Sequence, residues 1–342
     1  MLIYRTISEF QNAAARDAHG IALATGFFDG VHRGHQRILS RASHALTFTQ
    51  HPTRLLAPAN ARKLLTPLDV RLELLAATGI TGCLLLDFTP ELAQQSPEQF
   101  IAGLGPNIRS FHCGENWRFG RNGAGTPALL AEVGRGVHAR LRASAPDVLP
   151  TSVIGCPCRR GGAQAPFGLR ALPSTFNFSV HIAPPALWRG EPVSSTRIRD
   201  AIRNGSLHDA ERMLGRPYFI RETIVPGRAI GRTLNFPTLN IHPCAEILPP
   251  VGVYAVRARF AGEFTWRGAV ANFGFRPTFP DRPPTPVLEV HLLAPPIRET
   301  TGLTADIAFI HRLRDERAFP TTEALATQLR ADCAHADKIL NS

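Results

Sequence analysis

Long apolar runs are missing from this 342-residue chain. No stretch of about eighteen uncharged apolar residues occurs, which argues against a membrane-spanning helix. The opening Met1-Leu2-Ile3-Tyr4-Arg5 lacks the apolar core of a secretory signal. Cysteine is sparse, with 6 residues scattered except for Cys156 and Cys158. That pair is too tightly spaced for the usual zinc site, and no disulfide framework is discernible, so a reduced, cytoplasmic setting is expected. Acidic residues are also in deficit. The 27 Asp and Glu face 38 Lys and Arg, mostly arginine, for a formal net charge of +11. Such a balance steers anionic partners toward the surface. Nucleoside triphosphates satisfy it. A nucleic-acid-binding protein would too, but the chain carries no aromatic-interleaved basic motif or helix-turn-helix pattern. The apolar content of 44% is ordinary, and the length suits two domains better than one core.

The first half alternates short apolar runs with helical patterns. The segments Ile21-Ala22-Leu23-Ala24-Thr25, 45–49, 82–88 and 180–182 read as strands. Leu65, Leu68, Leu72 and Leu75 recur at three- and four-residue steps, predicting a helix over 64–78 with Thr66 as its N-cap. Ser96 and Gln99 stand at capping-box positions ahead of another. Strands alternating with helices imply an α/β fold with a parallel sheet, in which ligands sit at the carboxyl ends of strands.

The stretch Gly26-Phe27-Phe28-Asp29-Gly30-Val31-His32-Arg33-Gly34-His35 falls on such an end, between the strand at 21–25 and a helix beginning near residue 32. Glycines allow close backbone approach, and a helix start offers unpaired N–H groups and partial positive charge. His32 and His35, three apart, point the same way. Gly26, Phe27, Asp29 and Gly30 therefore frame a phosphate cradle with two imidazoles aimed into it. Two further segments share this chemistry. The loop Gly114-Glu115-Asn116-Trp117-Arg118-Phe119-Gly120 joins small, aromatic and basic residues, a mixture suited to a nucleotide. Ser194, Ser195 and Thr196 open a helix with free hydroxyls, and Arg197 and Arg199 add guanidinium forks that fit phosphate. Residues 138–175 are rich in arginine, alanine, glycine and proline without periodicity, and read as a dispensable surface insertion.

Beyond residue 214 the texture changes to alternating apolar runs with Gly and Pro turns, predicting β-barrel strands at 220–225, 252–260, 266–272, 287–292 and 305–312. A closing helix is expected over 323–340, and one continuous helix over 201–214 before the barrel. Gly227, Gly231 and Arg232 suggest an anion-binding loop. Thr238 and Asn240 flank one residue on an extended chain and share a face, where hydroxyl and amide oxygens suit Mg²⁺. Glu289 is a single acid on an alternating strand.

These motifs together resemble the bacterial bifunctional riboflavin kinase/FAD synthetases. Residues 26–35 are similar to the signature G-x-F-D-G-x-H-x-G-H, and residues 114–125 to G-E-[DN]-x-x-F-G-x-x-x-x-G. Residues 193–199 are similar to [IV]-S-S-T-x-[IV]-R, and residues 227–240 to G-x-x-x-G-R-x-x-G-F-P-T-A-N. The chain departs at Thr49 and Gln50, where E-P is usual, at Asn235 and Leu239, and over 295–302. The resemblance implies a Rossmann-like adenylyltransferase domain over 1–205 and a riboflavin-kinase-type β-barrel over 206–342. It implies ATP, riboflavin and FMN as substrates and Mg²⁺ as the metal. By the same resemblance His32, His35 and Arg199 stabilise the triphosphate under attack. Asn116 contacts the nucleotide, Ser194, Ser195, Thr196 and Arg197 belong to the ATP site, and Glu289 is the general base toward riboflavin. Another phosphate acceptor, or one half of weak activity, stays open at this level.

Overall fold

The computed structural model describes residues 1–136, 176–226, 236–276, 285–294 and 300–342. The insertion at 138–175 and the loop residues Gly227, Gly231 and Arg232 lie outside the described residues. The chain divides into two compact units. One comprises residues 1–26, 41–49 and 80–184; the other comprises 27–40, 50–79 and 185–342.

The first unit is built on six strands: β1 (Leu2–Tyr4), β2 (Ile21–Thr25), β3 (His44–Phe48), β4 (Gly82–Leu86), β5 (Ile108–Gly114) and β6 (Ser179–Ala183). All pair in parallel, in the order β1-β4-β3-β2-β5-β6. Strands β2 and β4 are buried at every position, as expected for a sheet covered on both faces. Phe10, Leu23, Leu84, Ile101, Phe111 and Leu130 meet in its core. The strand order reverses between β2 and β5, so their carboxyl ends, Thr25 and Gly114, flank the switch point of the sheet. The histidine stretch leaves β2 and the Asn116 loop leaves β5. Helix α1 (Ile7–Ala14) precedes β2, and α2 (Arg33–Leu39) precedes β3.

Local capping explains several helix starts. After the short α3 (Thr53–Leu56) and α4 (Leu68–Ala76) come α5 (Pro90–Gln94) and α6 (Pro97–Leu104). Ser96 and Gln99 form the anticipated reciprocal capping box on α6. Thr126 caps α7 (Pro127–Gly134). Helix α4 departs from expectation. It starts after Pro67, and Thr66 does not cap it. The Thr66 hydroxyl instead accepts from Gly30 N–H at 3.2 Å.

The second unit holds a two-residue-strand hairpin, β7 (Leu187–Trp188) and β8 (Glu191–Pro192), and a closed antiparallel barrel. Its strands are β9 (Tyr218–Val225), β10 (Leu239–Ile241), β11 (Gly252–Phe260), β12 (Arg267–Arg276), β13 (Thr285–Leu292) and β14 (Thr304–Arg314). Around the barrel they run β10-β13-β12-β11-β14-β9, and β10 closes the ring onto β9. Strand β10 was not anticipated, because three residues carry too little pattern to register. Tyr254, Val256, Ala258 and Phe260 fill the interior, while Val253 and Ala255 pack outward on Ala336 and Leu340 of the C-terminal helix, Thr322–Asn341. The helix expected at 201–214 is two: α8 (Ser195–Arg203) and α9 (Leu207–Leu214). Gly205, at φ +74°, turns the chain between them.

Candidate active sites

The first site forms on the turn at 27–35, within the second unit. Three of its residues take positive φ: Phe28 at 58°, Gly30 at 77° and Val31 at 39°. For Phe and a β-branched Val this conformation costs on the order of 1–3 kcal/mol each, and persists only when the surroundings impose it. They do so group by group. Ser195 Oγ donates to the Asp29 carbonyl at 3.1 Å, and Gln36 Nε2 donates to the Val31 carbonyl at 2.9 Å. Arg216 Nη2 donates to the Gly30 carbonyl at 2.7 Å. Glycine suits position 30 because of its positive φ, and a Cβ there would also press on Leu65 Cδ1 at 2.9 Å.

Asp29 anchors the turn from beneath. Its carboxylate is 3% exposed and accepts from Leu65 N–H at 3.0 and 3.1 Å and from Thr66 N–H at 3.2 Å. Arg199 Nη2 pairs with it at 2.6 Å. Both charges are buried, so neither is tolerable without the other. Asp29 thus faces the protein and fixes Arg199. Phe27 lies under the Arg71 guanidinium, 4.0 Å from its ring centre, and edge-on to His51 at 4.6 Å.

His32 is the N-cap of α2, its Nδ1 accepting from His35 N–H at 3.3 Å. The two rings stack with centroids 3.6 Å apart at 17°. Gly34 makes this possible: a Cβ there would sit 3.1 Å from His32 Cε1. Phe28 meets His35 edge-on at 5.3 Å. Burial, and then the charges of Arg216 and Arg199, lower the His32 pKa from 6.5 to about 4. Burial and the neighbouring His32 push His35 well below its ordinary value as well. Both imidazoles are therefore neutral at neutral pH, each with one N–H to donate. Buried polar atoms without a protein partner gather here: His35 Nδ1, Arg199 Nε and Arg216 Nε. A cluster of such nitrogens beside a strapped turn is suited to an oxyanion.

The remaining expected residues of this site divide. Ser194 caps α8 by accepting from Arg197 N–H at 3.3 Å, and Thr196 is exposed on its first turn. Arg197 is not brought to the histidines; its guanidinium donates to the carbonyls of Trp188, Glu191 and Pro192. Gly26 N–H donates to the Leu46 carbonyl at the end of β2, in the first unit. Asn116 is exposed on the loop after β5, also in the first unit, where Trp117 stacks on Phe119 at 4.4 Å. Sequence reasoning missed Arg216, which lies in the link between α9 and β9 rather than in a recognised motif.

The second site lies on the outer face of the barrel. Leu288, Val290 and Leu292 face the interior, so Glu289 faces outward. The register sets Glu289 opposite Asn240 on β10 and opposite Asn272 on β12. Three polar residues thus stand in one cross-strand row. Asn272 Nδ2 donates to Glu316 at 3.3 Å, and Asn240 Nδ2 to the Thr238 carbonyl at 3.3 Å. His291, two residues along, hydrogen-bonds the Pro237 carbonyl at 2.9 Å and meets Phe236 at 5.1 Å. The Thr238 hydroxyl, the Asn240 amide oxygen and the Glu289 carboxylate are hard donors that fit Mg²⁺ sharing phosphate oxygens. Among the described residues no group of three or more His, Cys, Asp and Glu could hold a metal alone.

A family model described as FAD synthetase matches residues 14–147, and one described as riboflavin kinase matches residues 214–340. The bifunctional riboflavin kinase/FMN adenylyltransferase of Bacillus subtilis strain 168 is 30% identical over 325 residues, spanning 91% of this chain and 89% of that protein. The chain belongs to the bifunctional riboflavin kinase/FMN adenylyltransferase family. Relatives of the same name from Haemophilus influenzae and Escherichia coli K12 are 28% and 27% identical, each over 96% of this chain and over 97% and 95% of their own. A crystal structure described as a macrolide-efflux protein from Streptococcus pneumoniae aligns over 98% of both chains with TM-score 0.74 at 23% identity, a likeness of fold alone. The two matched segments correspond to the two sites: residues 26–35 lie in the FAD synthetase match, and 238–240 and 289 in the riboflavin kinase match. No helix among the described residues is long and apolar enough to cross a membrane.

Proposed function

We propose that the chain phosphorylates riboflavin to FMN and then adenylylates FMN to FAD, with residues 206–342 performing the first step and 1–205 the second. The reading rests on family membership and, in the structure, on the cluster of buried, unpartnered nitrogens around the strapped histidine turn. In the kinase half, Glu289 takes the proton from the flavin 5′-hydroxyl as its oxygen attacks the γ-phosphorus of ATP and ADP departs. Thr238 and Asn240 would hold Mg²⁺, which neutralises phosphate charge when bound. Phosphoryl transfer asks mainly for such positioning and charge neutralisation.

In the transferase half an FMN phosphate oxygen attacks the α-phosphorus of ATP, and pyrophosphate leaves. His32 and His35 donate N–H groups, and Arg199 a fixed cation, to the charge that develops there. No covalent intermediate is required. Asp29 holds Arg199 rather than touching nucleotide, and Ser195 and Gly30 shape the turn. A reaction that consumes ATP suits the cytoplasm. Riboflavin, ATP and Mg²⁺ incubated with the purified chain should give FMN and then FAD on chromatography. A chain that yields neither overturns the reading.

A further inference from the structure

Arg216 belongs to none of the recognised motifs, yet the turn of the transferase site is built against it. Helix α9 ends at Leu214, and Gly215, at φ +79°, reverses the chain in the left-handed region. A Cβ on Gly215 would lie 3.4 Å from Arg33 Nε and 3.5 Å from Gln36 Nε2, so this link passes close over α2. Gln36 Nε2 donates to the Leu214 carbonyl at 3.0 Å, and Leu214 Cδ2 lies 3.4 Å from where a Gly30 Cβ would stand. Leu214 and Leu65 together thus close the space where a Gly30 side chain would stand. Within this contact Arg216 Nη2 donates to the Gly30 carbonyl at 2.7 Å. Its Nε is buried and has no protein partner.

We propose that Arg216 is the second guanidinium of the adenylyl-transfer site: Nη2 fixes the Gly30 turn, and the Nε–H left over donates to a polyphosphate oxygen of the bound nucleotide. The inference rests on the function proposed above and extends its site by one residue. Three independent features support it. The Gly30 peptide is held in a conformation that its own sequence neighbours do not favour, and Arg216 is one of its few clamps. The orphaned Nε lies in the same neighbourhood as the orphaned Arg199 Nε and His35 Nδ1. The cation also acts on His32, being the larger of two arginine charges that disfavour its protonation. Burial lowers the Arg216 pKa to about 10, which leaves it charged at neutral pH. A guanidinium so placed, planar and forked, can grip a backbone carbonyl through one nitrogen and a phosphate through another in a fixed geometry that a compact ammonium does not reproduce.

The test is R216Q in the full chain, with R216K as the conservative variant and R212Q as a control. Arg212 is exposed on the preceding turn of α9 with its guanidinium over Trp188, so its loss removes equal charge away from the turn. For R216Q the KM for ATP in the FMN-to-FAD reaction should rise at least tenfold, and the His32 NMR titration should move upward. R216K should recover the titration but not the KM, and R212Q should move neither. Riboflavin phosphorylation reports whether the barrel is folded. If R216Q loses both activities, R216K decides, since a KM at the wild-type value there overturns the proposal. A wild-type KM and an unmoved His32 in R216Q also overturn it while leaving the proposed function intact. If the unmodified chain makes no FAD, that function falls, and inorganic tripolyphosphate then serves as the probe. Shifts of the His32 and His35 signals that weaken tenfold in R216Q would still uphold the role of Arg216, and equal shifts would refute it.

Discussion

The histidine turn and the polar row on the barrel, the two places proposed to meet the polyphosphate of ATP, have opposite architectures. At the turn, charges are buried and tied to one another: Asp29 to Arg199 at 2.6 Å, with almost every neighbouring peptide group claimed by a side chain. On the barrel, Asn240, Glu289 and Asn272 are aligned across three strands by register. One site is pre-organised by a costly knot of charge that collapses if a member is removed. The other takes its geometry from a closed sheet. Loss of a residue should therefore be read differently in the two places: as lost chemistry alone on the barrel, and as lost chemistry plus lost structure at the turn.

The sharpest way to break this contrast is Glu289→Gln. It should lower FMN formation by about 10²–10⁴-fold, the usual contribution of a general base, with an unchanged melting temperature. FAD formation from supplied FMN should persist, and undiminished FMN production would remove Glu289 from its role. His35→Ala should do the converse. FAD formation should fall about 10²–10³-fold, as on loss of one preorganised donor, while FMN formation continues. Equal loss of both products would contradict the separation of sites.

Asp29→Ala tests the knot itself. It leaves Arg199 buried without its partner and should destabilise the chain by roughly 3–5 kcal/mol in urea unfolding, besides abolishing FAD formation. Asn272→Ala on the barrel should cost under about 1 kcal/mol by the same measurement, because surface polar contacts contribute little. Similar losses from the two variants would dissolve the comparison.

Acid should weaken the turn. His32 and His51 are lowered to about 4, and His35 well below its ordinary value, all chiefly by burial. The unfolded chain then binds more protons than the folded one below about pH 6.5. Stability from these groups is complete above that pH and declines as the pH falls toward 4. Urea midpoints that stay flat across this window would contradict it. The smallest effect belongs to Gly34→Ala, whose new Cβ presses on His32. It should raise the KM for ATP in FAD formation a few-fold with little change in the melting temperature.

What the sequence made legible was local. The capping box at Ser96 and Gln99 depends on residues three apart and formed as read, whereas of the three hydroxyls read as free at the next helix start, Ser194 became the cap and Ser195 bonds the Asp29 carbonyl. Hydrophobic period located five of the six barrel strands but not β10, whose three residues are placed by their partners on either side. The histidine pair was visible as a motif, and its stacking on Gly34 follows from the same ten residues. Arg197 and Arg199 look alike in sequence, yet one reaches inward to Asp29 and the other back to three carbonyls, because helix phase turns them to different sides. Thr66 and Arg216 were out of reach for a related reason. Their partners lie on the turn, 36 and 186 residues away, and no window along the chain contains both ends.

Residues 27–40 and 50–79 belong to one compact unit with the barrel, although they precede it by more than a hundred positions in the chain. The compact units thus do not follow the order of the chain. Amide exchange at Gly30 should slow and quicken in step with β9, and a protease that loosens the barrel should release the histidines with it. An ancestor assembled by joining two genes would have had to let one partner's catalytic loop settle on the other's frame, after which neither could be given away intact.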